Sequence, residues 1–236
     1  MQESLYDAMG CGVSLDRLDA YRRNDDDRSV ITRYLWNAAL CESLYPSLQS
    51  VEIVLRNSLH TALTATYHNG RWFDVSPGLL HPRQQAMVKD AEDKLHHEGK
   101  LATTGRIVAE LNLGFWTSLF NVHYEQKGAT DPRLWPRHLR TVFPGMPRSK
   151  RTRHAVVRTL VDIRLLRNRV FHHEPIWDLS ALPERHTRLT EFVGWINPTY
   201  RDVCLLGDHF KETHLVGEQR LRRQLDAFLD THTKSS

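Results

Sequence analysis

The chain has 236 residues, 40% of them apolar and 25% charged, with a net charge of +4 at pH 7. This is enough chain to bury a substantial core as one large domain or two small ones, with the composition of an ordinary globular protein. No run of about 18 apolar residues predicts a membrane span, and the start MQESLYDAMGCGVSLDRLD lacks the basic and apolar regions of a secretory signal.

The predicted elements are helical throughout. Ile31, Tyr34, Leu35, Ala38 and Leu44 recur at helical spacing over Arg28 to Tyr45. Pro46 is expected to interrupt that helix, and Ser47 to cap a second one running to about Tyr67 on a stripe of Leu48, Val51, Leu55, Leu59 and Ala62. RWFDVSPGLLHP reads as a loop, and Gln84 to His97 as a polar-surfaced helix ended by Gly99. TTGRIVAELNLGFWTSLF suggests two short helices hinged near Gly114, and LWPRHLRTVFPGMPRSK a short helix and a Pro/Gly turn. Ser149 is expected to open a basic helix that ends by Glu174, because Pro175 disfavours helical geometry in the residue before it. Further helices are expected at about 183–196, 198–206 and 215–230. No period-2 strand pattern or internal repeat is evident, so the fold class is all-α.

The charge is unevenly spread. Arg133 to His173 holds eleven Lys/Arg and one acid, Asp162, with four histidines; the rest has 21 Lys/Arg against 27 Asp/Glu. So concentrated a basic segment fits a polyanion such as nucleic acid, or a solvated basic helix beside an acidic neighbour. Cys11, Cys41 and Cys204 are widely spaced, which suggests reduced thiols in a cytoplasm and argues against zinc. HHE at 96–98 and at 172–174 lacks the i, i+4 histidine pair of a zincin, so no metal or other cofactor is expected.

The end of the basic helix, RLLRNRVFHHEPIWDL, carries the candidate chemistry. On a helical wheel Val156, Leu160, Ile163 and Val170 form an apolar stripe with Arg167 in its middle. Burying an unpaired arginine costs several kcal/mol. Glu52, placed on the apolar stripe of the second helix, is a candidate partner, with Arg56 and Asn57 beside it. One reading is a structural network, in which Arg169, His172 and His173 merely favour a helix C-terminus. The other is metal-free RNA cleavage. Histidine moves the proton of the attacking 2′-OH or of the leaving oxygen, arginine stabilises the phosphorane charge, and asparagine orients one of them. Asn168 and His172 share a helix face, but Arg167 and His172 stand about 140° apart. Either the helix ends or bends near Phe171, or two copies pool their motifs.

Arg167-Asn168-x-x-x-His172 resembles the R-polar-x-x-x-H motif of the HEPN superfamily of helical proteins, which includes many metal-independent RNases. LRNRVFHHEPIWDL is similar to the Abi-like (abortive infection) family within it, as are VEIVLRNSLHTAL, IVAELNLGFWTSLF and the WINP turn, in the expected order. The resemblance implies a HEPN-type helical bundle with peripheral helices. It divides the chain into an N-terminal extension at 1–27, an Abi-like domain at 28–232 and a polar tail at 233–236. It implies an endoribonuclease toxin of bacterial phage defence, with Arg167, Asn168 and His172 catalytic, RNA as substrate, a homodimer with a composite site, and an antitoxin or regulatory partner as a further candidate. Glu52, Arg56, Asn57, Arg169, His173 and Glu174 would support the site or touch RNA, and Trp177 is a candidate for stacking on a base. The alternative is a non-catalytic helical module that binds RNA or a protein.

Overall fold

A computed structural model describes residues 4–75, 79–128 and 133–233, with side chains to residue 231. In chain order its α-helices are α1 (Leu5–Val13), α2 (Leu15–Asp19), α3 (Asp27–Tyr67), α4 (Trp72–Val75), α5 (Pro82–His97), α6 (Thr104–Glu110), α7 (Leu113–Ser118), α8 (Leu139–Val142), α9 (Arg153–Phe171), α10 (Leu182–Ile196), α11 (Pro198–Leu205), α12 (Phe210–Val216) and α13 (Gln219–Thr233). Two 3-10 turns complete the helical content, and a single β-bridge, Glu125 to Trp135, is the sole strand-like pairing among the described residues. The fold is all-α. Of the expected polar tail, 234–236 lie outside the described residues, as do 76–78 of the expected loop.

The chain divides into two compact units. The first comprises Met1–Pro46, Leu165–Thr187 and Gly207–Ser236; the second comprises Ser47–Arg164 and Arg188–Leu206. The first unit buries Tyr6, Leu18 and Tyr21 together with Val30, Ile31 and Leu225. Residues 4–26, set apart as an extension in the sequence, thus supply part of this core. The Arg222 guanidinium donates to Ser29 Oγ (3.1 Å) and fastens α13 to the start of α3.

The second unit is packed around aromatic rings. Trp72, Phe115, Trp116, Phe120, Trp135, Phe143 and Phe192 are all nearly fully buried, and Phe120 stacks on Trp135 at 4.4 Å. Their indole N–H groups find acceptors, as buried donors must: Trp116 donates to the Leu111 carbonyl at 3.0 Å and Trp135 to the Leu119 carbonyl at 2.7 Å. The WINP turn has a local cause. Asn197 Oδ1 accepts the Tyr200 N–H at 2.9 Å, and Pro198 takes the first helical position, where its missing donor is harmless.

Several expected boundaries move. Pro46 does not break the first long helix but lies inside α3. Leu40, Leu44, Leu48 and Val51 are buried on either side of it. Each such side chain is worth ~2 kcal/mol, so together they outweigh a proline penalty of about 3 kcal/mol. The basic helix opens after Thr152 rather than at Ser149, because Thr152 Oγ1 accepts the Ala155 N–H at 3.1 Å, while residues 148–150 form a 3-10 turn. The break expected at Gly114 falls at Leu111–Asn112, where Asn112 caps α7. The segment at 215–230 divides at Gly217, whose φ of +61° suits glycine.

Candidate functional site

The C-terminus of α9 explains the paired histidines. His173 has φ +58°, the left-handed conformation that reverses a chain at a helix end. Its N–H donates to the Val170 carbonyl (3.2 Å), and the Glu174 N–H reaches back to the Arg169 carbonyl (2.8 Å). These two bonds define a Schellman motif, with histidine where glycine is usual. The Arg17 guanidinium donates to the His173 carbonyl at 2.6 Å. Beyond it, the buried Asn37 side chain accepts the N–H groups of Ile176 (2.7 Å) and Trp177 (3.2 Å). Arg169 Nη1 donates to the Pro175 carbonyl (3.2 Å) and its Nε stands 3.8 Å from Glu174. Arg169, His173 and Glu174 therefore shape the turn after the helix.

The catalytic candidates are more open. Asn168 and His172 are exposed. The His172 N–H donates to the Asn168 carbonyl at 2.8 Å, an i→i−4 bond that keeps His172 on the helical path. The reversal comes one residue later, so the angle of about 140° between Arg167 and His172 persists.

Arg167 is not buried in the stripe, as its wheel position predicts, but half-exposed. Leu166, 1% exposed, fills the gap between Ile163 and Val170. The Arg167 guanidinium lies 4.2 Å from the Phe171 ring centroid, and that ring packs on Tyr45 at 4.8 Å. Its partner within the first unit is thus a ring. Glu52 itself is half-buried in the second unit, with half-buried Arg56 and exposed Asn57, whose Oδ1 accepts from Arg56 Nε at 3.5 Å.

Trp177 is half-buried. Arg23 lies 4.2 Å and Arg33 5.3 Å from its ring centroid, and Tyr21 stacks at 6.4 Å. A ring so engaged is ill placed to stack on a base. Arg33 is buried, donates to the Tyr21 carbonyl at 2.5 Å, and pairs with Asp25.

A cleft of about 640 Å³ adjoins the turn, lined by Arg17, Tyr21, Tyr34, Asn37, Tyr45 and His173 among others. Cys41 also lines it, but burial pushes its thiol up to about 11, which keeps it protonated and unreactive near neutrality. Arg17, Arg33 and Asn37 were missed in the sequence. Arg33 and Asn37 had a signal, since both lie on the stripe Val30, Arg33, Asn37, Leu40, Leu44; Arg17 had none.

In the basic segment, Arg153 pairs with Glu125 (3.0 Å), and Asp162 pairs outside the segment with Arg188 (3.0 Å). Exposed Arg137, Arg140, Arg148, Lys150, Arg158 and Arg164 meet no carboxylate among the described residues. Among the described residues, no helix is long and apolar enough to cross a membrane, and no three His, Cys, Asp or Glu side chains group to hold a metal ion. No protein-family model, curated protein or solved structure matches the chain.

Proposed function

We propose that the chain is a metal-independent endoribonuclease of the Abi-like HEPN type, acting in the bacterial cytoplasm as an abortive-infection toxin. The observation that carries this reading is the pairing of exposed Asn168 and His172 one helical turn apart beside an Arg167 whose contact is a ring, with no carboxylate paired to it among the described residues. His172 takes the 2′-OH proton or donates one to the departing 5′-oxygen. Arg167 offers fixed positive charge to the phosphorane oxygens, and Asn168 orients the imidazole or the phosphate. The products carry a 2′,3′-cyclic phosphate and a 5′-hydroxyl. The angular separation of Arg167 and His172 favours a composite site in a homodimer, and an antitoxin or other regulatory partner would hold the toxin in check. A second reading, a non-catalytic module that binds RNA or a protein, draws on the architectural contacts of Arg169, His173 and Trp177.

Incubating the purified protein with total cellular RNA in EDTA, and mapping product ends, separates the two. Cyclic-phosphate ends that vanish with His172→Ala support the nuclease; intact RNA, or a His172→Ala protein that cuts at the parent rate, sinks it.

A further inference from the structure

In the second unit, Arg140, Pro144, Arg148 and Arg151 line an open depression of about 620 Å³. We propose that these three arginines form a phosphate-binding site that grips the RNA backbone through residues outside the cleavage motif. The ligand rests on the RNA reading above; the phosphate chemistry does not.

The depression is built on a braced turn. Val142, Phe143 and Met146 are buried beneath it. The Gly145 N–H donates to the Trp195 carbonyl at 2.9 Å, and a Cβ at Gly145 would stand 2.4 Å from the Gly194 carbonyl oxygen. Only glycine fits there, so the turn is seated against α10 and cannot slide. Arg151 is held from below. Its Nε donates to the Met146 carbonyl (3.1 Å) and its Nη2 to the carbonyls of Met146 (2.5 Å) and Pro144 (3.2 Å). Its Nη1 has no protein acceptor among the described residues. Arg140 and Arg148 are exposed and meet no carboxylate there.

Three guanidinium groups around one concavity repel one another unless an anion lies between them. Arginine presents planar donors that match phosphate oxygens and cannot discharge by losing a proton. Holding Arg151 in place beforehand lowers the ordering cost of binding. The lining includes no aromatic ring, amide, hydroxyl or carboxylate to read a base or a sugar. Recognition would therefore be of the backbone alone and independent of sequence. Arg137, Lys150 and Arg158 of the same sequence segment are also exposed cations, a density of charge that suits a chain of phosphates better than a single one.

The test uses a fluorescein-labelled, 2′-O-methylated oligouridylate, which cannot be cut by 2′-OH attack, so binding is read without cleavage. Its affinity is measured against salt for the full chain and for Arg140→Gln/Arg148→Gln, with tripolyphosphate as a parallel ligand. Both positions are exposed, so an unchanged melting curve is the expected control. The double variant should bind about tenfold or more weakly, and the slope of log K on log salt should shrink by about 1.4 for two lost single-strand contacts. Unchanged affinity and slope would overturn the proposal. So would a variant that loses only tripolyphosphate, which would mark a site for free phosphate. Weakened oligomer binding by the variant, alongside a parent protein that cuts no RNA, would uphold the site while removing the nuclease.

Discussion

His172 and His173 are adjacent, exposed and chemically identical, yet the backbone separates them. His172, just past the end of α9, still makes the helical i→i−4 bond, whereas His173 adopts the left-handed turn and its carbonyl accepts from Arg17. His172→Ala should abolish RNA cleavage and leave the melting temperature unchanged. His173→Val should cost about 1–2 kcal/mol in urea unfolding, since a β-branched residue resists that conformation, whereas His173→Gly should cost nothing. If Val and Gly proved equivalent there, the turn would not be the reason for His173. Arg167→Ala should eliminate cleavage while losing only ~1 kcal/mol, the scale of a half-exposed cation–π contact, not the larger loss that leaves a buried partner charged. Arg169→Ala, by contrast, should chiefly loosen the turn and weaken RNA affinity. At this scale the sequence was partly legible. The motif stood out by composition, but Leu166 and Arg167 fit the spacing from Ile163 to Val170 equally well. Periodicity could not choose between them; hydrophobicity decides for leucine.

α3 illustrates how tertiary burial overrides a local breaker. Proline signals a stop, and the signal is sound for an isolated helix, but the buried residues that flank Pro46 cannot be weighed until their neighbours are known. Pro46→Ala should raise stability by roughly 2 kcal/mol, the interior penalty less the entropy that proline removes from the unfolded chain. Denaturant unfolding that shows no gain would mean the backbone has already absorbed the proline. Element type was legible over most of the described residues, because 3–4 spacing is dense and strand alternation absent, but α1, α2 and the short α4 inside the expected loop were not foreseen. Caps were not legible: Ser47, expected to open a helix, lies inside α3, and Ser149 lies in a 3-10 turn. The turn after α9 was legible only as a stop at Pro175. Its support by Asn37 joins residues 139 apart in sequence, and no local pattern reports that. Asn37→Ala leaves one buried and one part-buried N–H donor without their acceptor and should cost about 1–3 kcal/mol. Asn37→Asp keeps the acceptor and should lose less; equal losses would deny the bond its role.

For the whole molecule, assembly and pH response offer the sharpest tests. Mixing Arg167→Ala and His172→Ala chains should restore part of the cleavage activity if two copies pool their residues, whereas a verified heterodimer that stays inactive would place the site within one chain. Burial lowers His60 and His138 below the ordinary imidazole value of 6.5, and His60 Nδ1 already accepts the Trp72 indole N–H at 3.1 Å. Above about pH 6.5 both folded and unfolded forms are neutral and stability is full; as pH falls below it, the unfolded chain gains protons that the folded one resists, and stability declines. The melting temperature should drop between about pH 7.5 and about pH 5.5, less so in His138→Gln, and an equal drop in that variant would exclude His138. The first unit is assembled from three separated stretches, and its core joins Tyr6 and Leu18 to Leu225. A chain emerging from the ribosome in order therefore exposes His172 before the last piece of its supporting core exists. At about 5–20 residues per second, the interval to Leu225 is roughly 3–10 s. On the proposed reading as a toxin, the chain would stay inert until α13 arrives, a delay in which a partner could engage the nascent chain before it does harm.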